Sequence, residues 1–167
     1  MNYLKEQLLT DSILIPSSNI TKTKNIESFI EDYISKKYEN KCESNSFIVN
    51  DTTQLINRSI GVVRTINKKN YIEYKVTFKF KSITPSIDDI YKTKINSVTK
   101  MGIISYLKMD DQMSIETSPI IFIIPNEYIN EDNNYSINQD LKVKVLNIRS
   151  KFKGKQMQIV CEIHNEV

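Results

Sequence analysis

Glycine is nearly missing from this sequence, with 3 in 167 residues, and there is no tryptophan and a single histidine. Three scattered glycines cannot form a phosphate-cradling loop, and no Gly-x-Ser-x-Gly nucleophile motif occurs. The two cysteines, Cys42 and Cys161, stand far apart without a Cys-x-x-Cys pair. That spacing excludes a zinc ribbon, argues against a disulfide framework and makes a reducing compartment the default. Cys42 reads as a half-buried or free thiol and Cys161 as a core residue of the last strand. In such a compartment Asn-x-Ser/Thr triplets such as those at Asn19, Asn57 and Asn134 are chance matches in an Asn-rich chain. No apolar run reaches the roughly 18 residues of a membrane-spanning helix. The opening MNYLKEQLLTDSILIP carries early acids and no Ala-x-Ala-like site, unlike a signal peptide. His164 reads as a surface residue, and the pair Asp110 and Asp111 as a solvated turn rather than a metal site. The expectation is a non-catalytic chain without cofactor or metal.

What is present is strand pattern and uneven charge. The composition, 40% hydrophobic and 26% charged, is that of a folded chain. Net charge is only +3, yet no Lys or Arg occurs from Met109 to Gln139, where Asp110, Asp111, Glu116, Glu127, Glu131 and Asp132 fall. From Leu141 to Val160 every charged residue is basic: Lys142, Lys144, Arg149, Lys151, Lys153 and Lys155. A second basic block, Arg58 to Lys81, holds Glu73 as its one acid. Such polarity suits an anionic partner, and it also describes solvated strand edges protected by lysine. The basic residues are 20 Lys to 3 Arg, and Ile and Asn abound. Their codons are AT-rich, which describes the genome rather than the activity.

Residues 3–15 alternate weakly and end at Pro16, a strand closed by a turn. Ile26, Phe29, Ile30, Tyr33 and Ile34 then recur at helical spacing, with Thr23 or Asn25 as N-cap and Lys36, Lys37 and Lys41 near the C-terminus. SFIV and SIGVVRTI read as strands, with a turn at NDTTQ between them and a loop over Asp51 to Arg58. The next strand has a strict period of two: Ile72, Tyr74, Val76, Phe78 and Phe80 on one face, Glu73, Lys75, Thr77, Lys79 and Lys81 on the other. The first half is therefore β-α-β-β-β. After Pro85 come DIYKTKINSV, a tight turn at Gly102, IISYLKM, SPIIFIIP, a helical turn at NEYIN, LKVKVLNIRS, the basic turn KFKG, and KQMQIVCEIH. Five strands with a short helical turn between the third and fourth is the order of an OB-fold barrel. The fold class expected is α+β followed by all-β, with domains at 1–83 and 84–167.

DDIYKTKINSVTKMGIISYL followed by LKVKVLNI resembles the RNA-binding domain first named in ribosomal protein S-one. With the first half included, YKVTFKFKSITPSIDDIYKTKI is similar to the stalk subunit of multisubunit RNA polymerases, the seventh subunit of eukaryotic polymerase II and its archaeal counterpart. The matching residues are Tyr74, Val76 and Phe78, then Pro85, then Asp89, Ile90 and Tyr91, with Gly61 before them and the strand ending at Pro16. The sequence departs from that pattern at Asp88 or Asp89 and at Thr93, where glycines are usual. It departs again beside Gly102, where Met101, Ile103 and Ile104 replace stacking aromatics.

The resemblance implies a tip domain that docks on the polymerase core and an OB barrel, mounted rigidly, that meets nascent RNA. It implies core contacts at Asp51, Gln54, Leu55, Ile56 and Arg58. It implies weak, non-specific single-stranded RNA binding at Lys142, Lys144, Arg149, Lys151, Phe152, Lys153 and Lys155. Further partners would be core subunits and a second stalk protein, with no membrane. With the AT-rich coding, the implied source is a large cytoplasmic DNA virus, located in its factory and virion; a cellular eukaryotic homologue would be nuclear. The alternative is a stand-alone OB-fold RNA-binding factor in translation or RNA decay.

Overall fold

The computed structural model describes residues 3–129 and 133–164. Its strands and helices are β1 (Leu4–Pro16), α1 (Ser17–Thr21), α2 (Ile26–Tyr38), β2 (Lys41–Glu43), β3 (Ser46–Ile48), β4 (Gln54–Arg58), β5 (Val62–Ile66), β6 (Lys69–Ile83), β7 (Ile90–Thr99), β8 (Gly102–Tyr106), β9 (Ile120–Pro125), β10 (Asp140–Arg149) and β11 (Met157–Ile163), with a 3-10 turn over Asn126–Tyr128. They divide into two compact units, residues 1–39 with 48–83, and residues 40–47 with 84–167. The short hairpin of β2 and β3 up to Phe47 thus goes with the second unit. Glu131 and Asp132, part of the acidic stretch, lie outside the described residues.

The first unit is built on β6. β1 pairs along it antiparallel, from Leu4 opposite Ile83 to Pro16 opposite Tyr71. β5 and β4 follow each other along its other side. The period-two pattern of β6 buries Tyr74, Val76, Phe78 and Phe80, while Lys75 stays exposed. α2 covers that apolar face with Ile30, Ile34 and Tyr38. Tyr38 and Phe78 stack at 5.0 Å between ring centroids. Of the two expected caps, Asn25 is the one used: its side chain accepts from the Ser28 amide at 3.1 Å. At the other end of α2, Lys37 meets Asp11 of β1 at 2.7 Å, and the Tyr38 hydroxyl donates to the same carboxylate. Burial and that carboxylate push the Tyr38 phenol up to about 12.

One expectation is corrected here. Gln54 to Arg58 is not loop but strand β4, and the loop is confined to residues 49–53. A bulge between Leu55 and Asn57 makes Ile56 the extra residue, which breaks the alternation a strand would otherwise display.

The second unit is a closed barrel of five strands in the order β10-β11-β9-β8-β7. Closure comes from β10 pairing back onto β7, with Val143 opposite Tyr91, and from the parallel pairing of β11 with β9. Inward residues fill the interior, among them Ile95, Ile103, Phe122, Ile124, Val145 and Ile159, all fully buried. The architecture is the OB-like barrel expected from the order of elements, preceded by a β-rich domain. No helix among the described residues is long and apolar enough to cross a membrane.

Candidate protein-docking and nucleic-acid interfaces

Two surfaces carry the residues singled out in the sequence. The first lies on β4 and the turn before it. Glu39 organises that turn. The residue is only 8% exposed, and its carboxylate accepts from the amides of Asp51 at 2.9 Å, Thr52 at 3.1 Å and Thr53 at 2.9 Å, and from the Thr53 hydroxyl. Burial is the largest single influence and raises its pKa, but the donors together outweigh it and hold the carboxyl below the ordinary 4.5. A depressed folded-state pKa means stabilisation that is present above the unfolded value and lost as pH falls through the folded one. Glu39→Gln is therefore expected to lower stability at pH 7 by about 1–3 kcal/mol. The deficit relative to wild type should begin to shrink as pH falls below the ordinary 4.5 and close as pH falls through the lowered folded-state value, where both carry a neutral side chain. Urea unfolding at pH 7 and pH 3.5 checks this; an unchanged deficit would show that the charge is irrelevant.

The five expected contact residues are not equivalent. Asp51 and Gln54 are exposed, and Ile56 is 49% exposed at the bulge. Leu55 packs against the core cluster and is not available as a free contact. Arg58 is a brace: it donates to Glu27 at 2.7 and 3.1 Å and to the Ser59 carbonyl at 3.2 Å, with its guanidinium 5.7 Å from the centre of the Tyr74 ring. A cavity of about 450 Å³ lies between α2 and β4, lined by Glu27, Glu31, Leu55, Ile56, Asn57 and Arg58.

The larger apolar surface is on β5 and the residues leading into it, a stretch whose sequence pattern indicates a strand and nothing more. Ile60 is 82% exposed and Val63 68%, and Val62 and Ile66 are also exposed. A signal is nevertheless present: adjacent valines point to opposite faces of a strand, so Val62 and Val63 cannot both be buried under one helix layer.

The second surface is the hairpin between β10 and β11. Lys142 and Arg149 are exposed on the outside of β10. Lys144 also faces out, but it pairs with Glu162 of β11 at 2.5 Å. Lys151, Phe152, Lys153 and Lys155 are exposed in the connecting loop, Phe152 at 66%, with the Lys153 ammonium 5.4 Å from the centre of its ring. The loop is braced from within its own unit. The Cys42 amide donates to the Gly154 carbonyl at 2.8 Å, the Lys153 amide to the Cys42 carbonyl at 2.9 Å, and the Ser150 hydroxyl to Asn45 at 2.8 Å. These bonds join the three-residue strand β2, which pairs with β3, to the loop, and Cys42 is a free thiol that is fully buried rather than half-buried. Burial pushes the Cys42 thiol up to about 11 and the Cys161 thiol to about 12, so neither is a thiolate near neutral pH. On β8 and β9, a face that binds ligands in many OB barrels, the outward residues Ile104, Ile121 and Ile123 are aliphatic and half-buried. Basic side chains of the barrel are concentrated on β10 and its hairpin. Asp111 is held by Lys108 at 3.1 Å. Among the described residues no group of three or more His, Cys, Asp or Glu could hold a metal ion.

No model of a known family matches the chain, and no curated protein matches it.

Proposed function

We propose that this chain is a non-catalytic stalk subunit of a DNA-dependent RNA polymerase. Its first unit docks on the core, and its barrel meets nascent RNA or transcription factors. The observation that carries the reading is the succession of units: a helix-covered antiparallel sheet whose longest strand ends at Ile83, then residues 84–89 with Pro85 and no glycine, then a closed five-stranded barrel from Ile90. A free RNA binder has no use for the first unit, and a stalk needs it as an anchor. The proposed source is a large cytoplasmic DNA virus. Affinity purification of the tagged chain from the cells that make it, followed by mass spectrometry, tests this. Recovery of the large catalytic polymerase subunits supports it; recovery of ribosomal or RNA-decay proteins instead supports the stand-alone RNA factor, the reading that the exposed Phe152 and its lysines favour.

For RNA, the barrel is expected to bind single strands weakly, through phosphates. Changing Lys151, Lys153 and Lys155 to Gln should weaken binding and flatten the slope of log K against log salt by up to about two units, at roughly 0.7 per phosphate contact. Changing Lys144 and Glu162 together to Gln should leave the slope unchanged, because that pair is already neutral. Filter binding across a salt series decides; equal slopes for wild type and the triple variant would place RNA elsewhere.

A further inference from the structure

β5 forms the outer strand of a two-residue hairpin. Asn67 and Lys68, with φ of 49° and 62°, make the turn, and Ile66 lies opposite Lys69. A two-residue turn of this left-handed kind closes on a hydrogen-bonded pair. Ile66, Arg64 and Val62 therefore direct their backbone groups at β6. Thr65 and Val63 direct theirs away, toward an edge on which no described strand pairs.

Exposed edges are normally blunted by proline, a bulge, an outward charge or a covering element. Among the described residues β5 has no proline, bulge or covering element, and its one outward charge is paired. Its register with β6 is unbroken, every residue is exposed, and that charge, Arg64, is tied to Glu73 at 2.6 Å. Each face carries apolar side chains, Val63 beside Thr65 on one and Val62 with Ile66 flanking the paired Arg64 on the other. The charge around the hairpin end has one sign. Lys68 and Lys69 are exposed there, and Glu73, the sole acid between Arg58 and Lys81, is already bonded to Arg64.

We infer that β5 is the receiving edge for an extended protein segment, which joins the sheet as a further strand. The incoming segment carries apolar residues on both of its faces, beside Val62 and Ile66 on one and beside Val63 on the other, and acidic residues where it passes Lys68 and Lys69. Backbone bonds at Val63 and Thr65 fix its register. This rests on the reading that the first unit docks on a polymerase core, and it names the mode of docking and the chemistry of the segment received.

Thr65 separates backbone from side-chain contributions. Its hydroxyl bonds only within the hairpin, to Asn70 at 2.9 Å. Thr65→Ala removes that hydroxyl and keeps the outward N–H. Thr65→Pro removes the N–H itself, a change edge strands tolerate on their open side. The tagged full chain and both variants are purified from cells. Core-subunit recovery is expected to be unchanged for Thr65→Ala and lower by roughly tenfold or more for Thr65→Pro. Equal recovery with Thr65→Pro overturns the inference and leaves the stalk assignment standing. Failure of the wild type to recover any core subunit overturns both. Hydrogen exchange on wild type, free and in the complex, covers the case in which Thr65→Pro disturbs the hairpin. The amides of Val63 and Thr65 should gain protection on docking while those of Val62, Arg64 and Ile66 are protected already. No gain at Val63 and Thr65 overturns strand addition. A concentration-dependent dimer of the free chain, abolished by Thr65→Pro, would identify a second copy as the occupant and overturn it equally.

Discussion

Gly102→Ala is expected to destabilise the barrel by at least about 3 kcal/mol, the largest effect of a methyl added at any of the three glycines. Gly102 sits where the β7–β8 turn enters β8, with φ of 143°, a backbone region that residues with a Cβ rarely adopt. A Cβ there would lie 2.2 Å from the Ile124 carbonyl oxygen and 3.1 Å from its carbon. Those atoms belong to β9, paired with β8 at Ile103 opposite Ile124, so they cannot swing aside as a side chain could. Gly61→Ala is the useful contrast: its nearest neighbour would be the Ile72 side-chain methyl at 2.6 Å, with the Tyr74 ring at 3.0 Å. It should cost less. Denaturant unfolding of both variants measures the difference. A Gly102→Ala protein within about 1 kcal/mol of wild type would mean that β9 yields at this position.

Changing Ile60 and Val63 together to Asp is expected to abolish recovery of polymerase core subunits while leaving the isolated chain folded. Both side chains are more than two-thirds exposed, so their loss removes little from the fold, and surface changes of this kind usually stay within about 0.5 kcal/mol. At an interface, a buried aliphatic anchor replaced by a carboxylate loses roughly 2 kcal/mol or more per site. Leu55→Asp is the wrong probe, because Leu55 packs on the Tyr74–Phe80 core and its replacement would damage the sheet itself. A double variant that still brings down the core at wild-type yield would remove β5 from the docking surface.

What is legible in the sequence is what depends on local periodicity. The alternation of β6, the helix face of α2 with a cap at Thr23 or Asn25, and the order of the five barrel strands follow from patterns within single segments. What is not legible depends on register or on distant backbone. β4 is hidden because the bulge at Ile56 interrupts its alternation. β2 is three residues long and is held by the backbone of Lys153 and Gly154, more than a hundred positions away. Lys144 reads as a free outward cation until the β10–β11 register places Glu162 directly opposite. Glu39 looks like one more surface acid at a helix end until the chain returns at Asp51 to Thr53 to donate to it. The exposure of β5 is set by the lack of a further described strand beside it, which no pattern inside β5 can reveal.

The central claim is that this chain is a stoichiometric part of a polymerase. It is tested most directly by purifying that polymerase through its own largest catalytic subunit and counting copies of this chain by quantitative mass spectrometry. A stalk protein is expected at about one copy per core, retained through washes at moderate salt because apolar contacts rather than exposed charges hold it. A polymerase that is active in transcription and carries this chain at trace level or not at all would contradict the account.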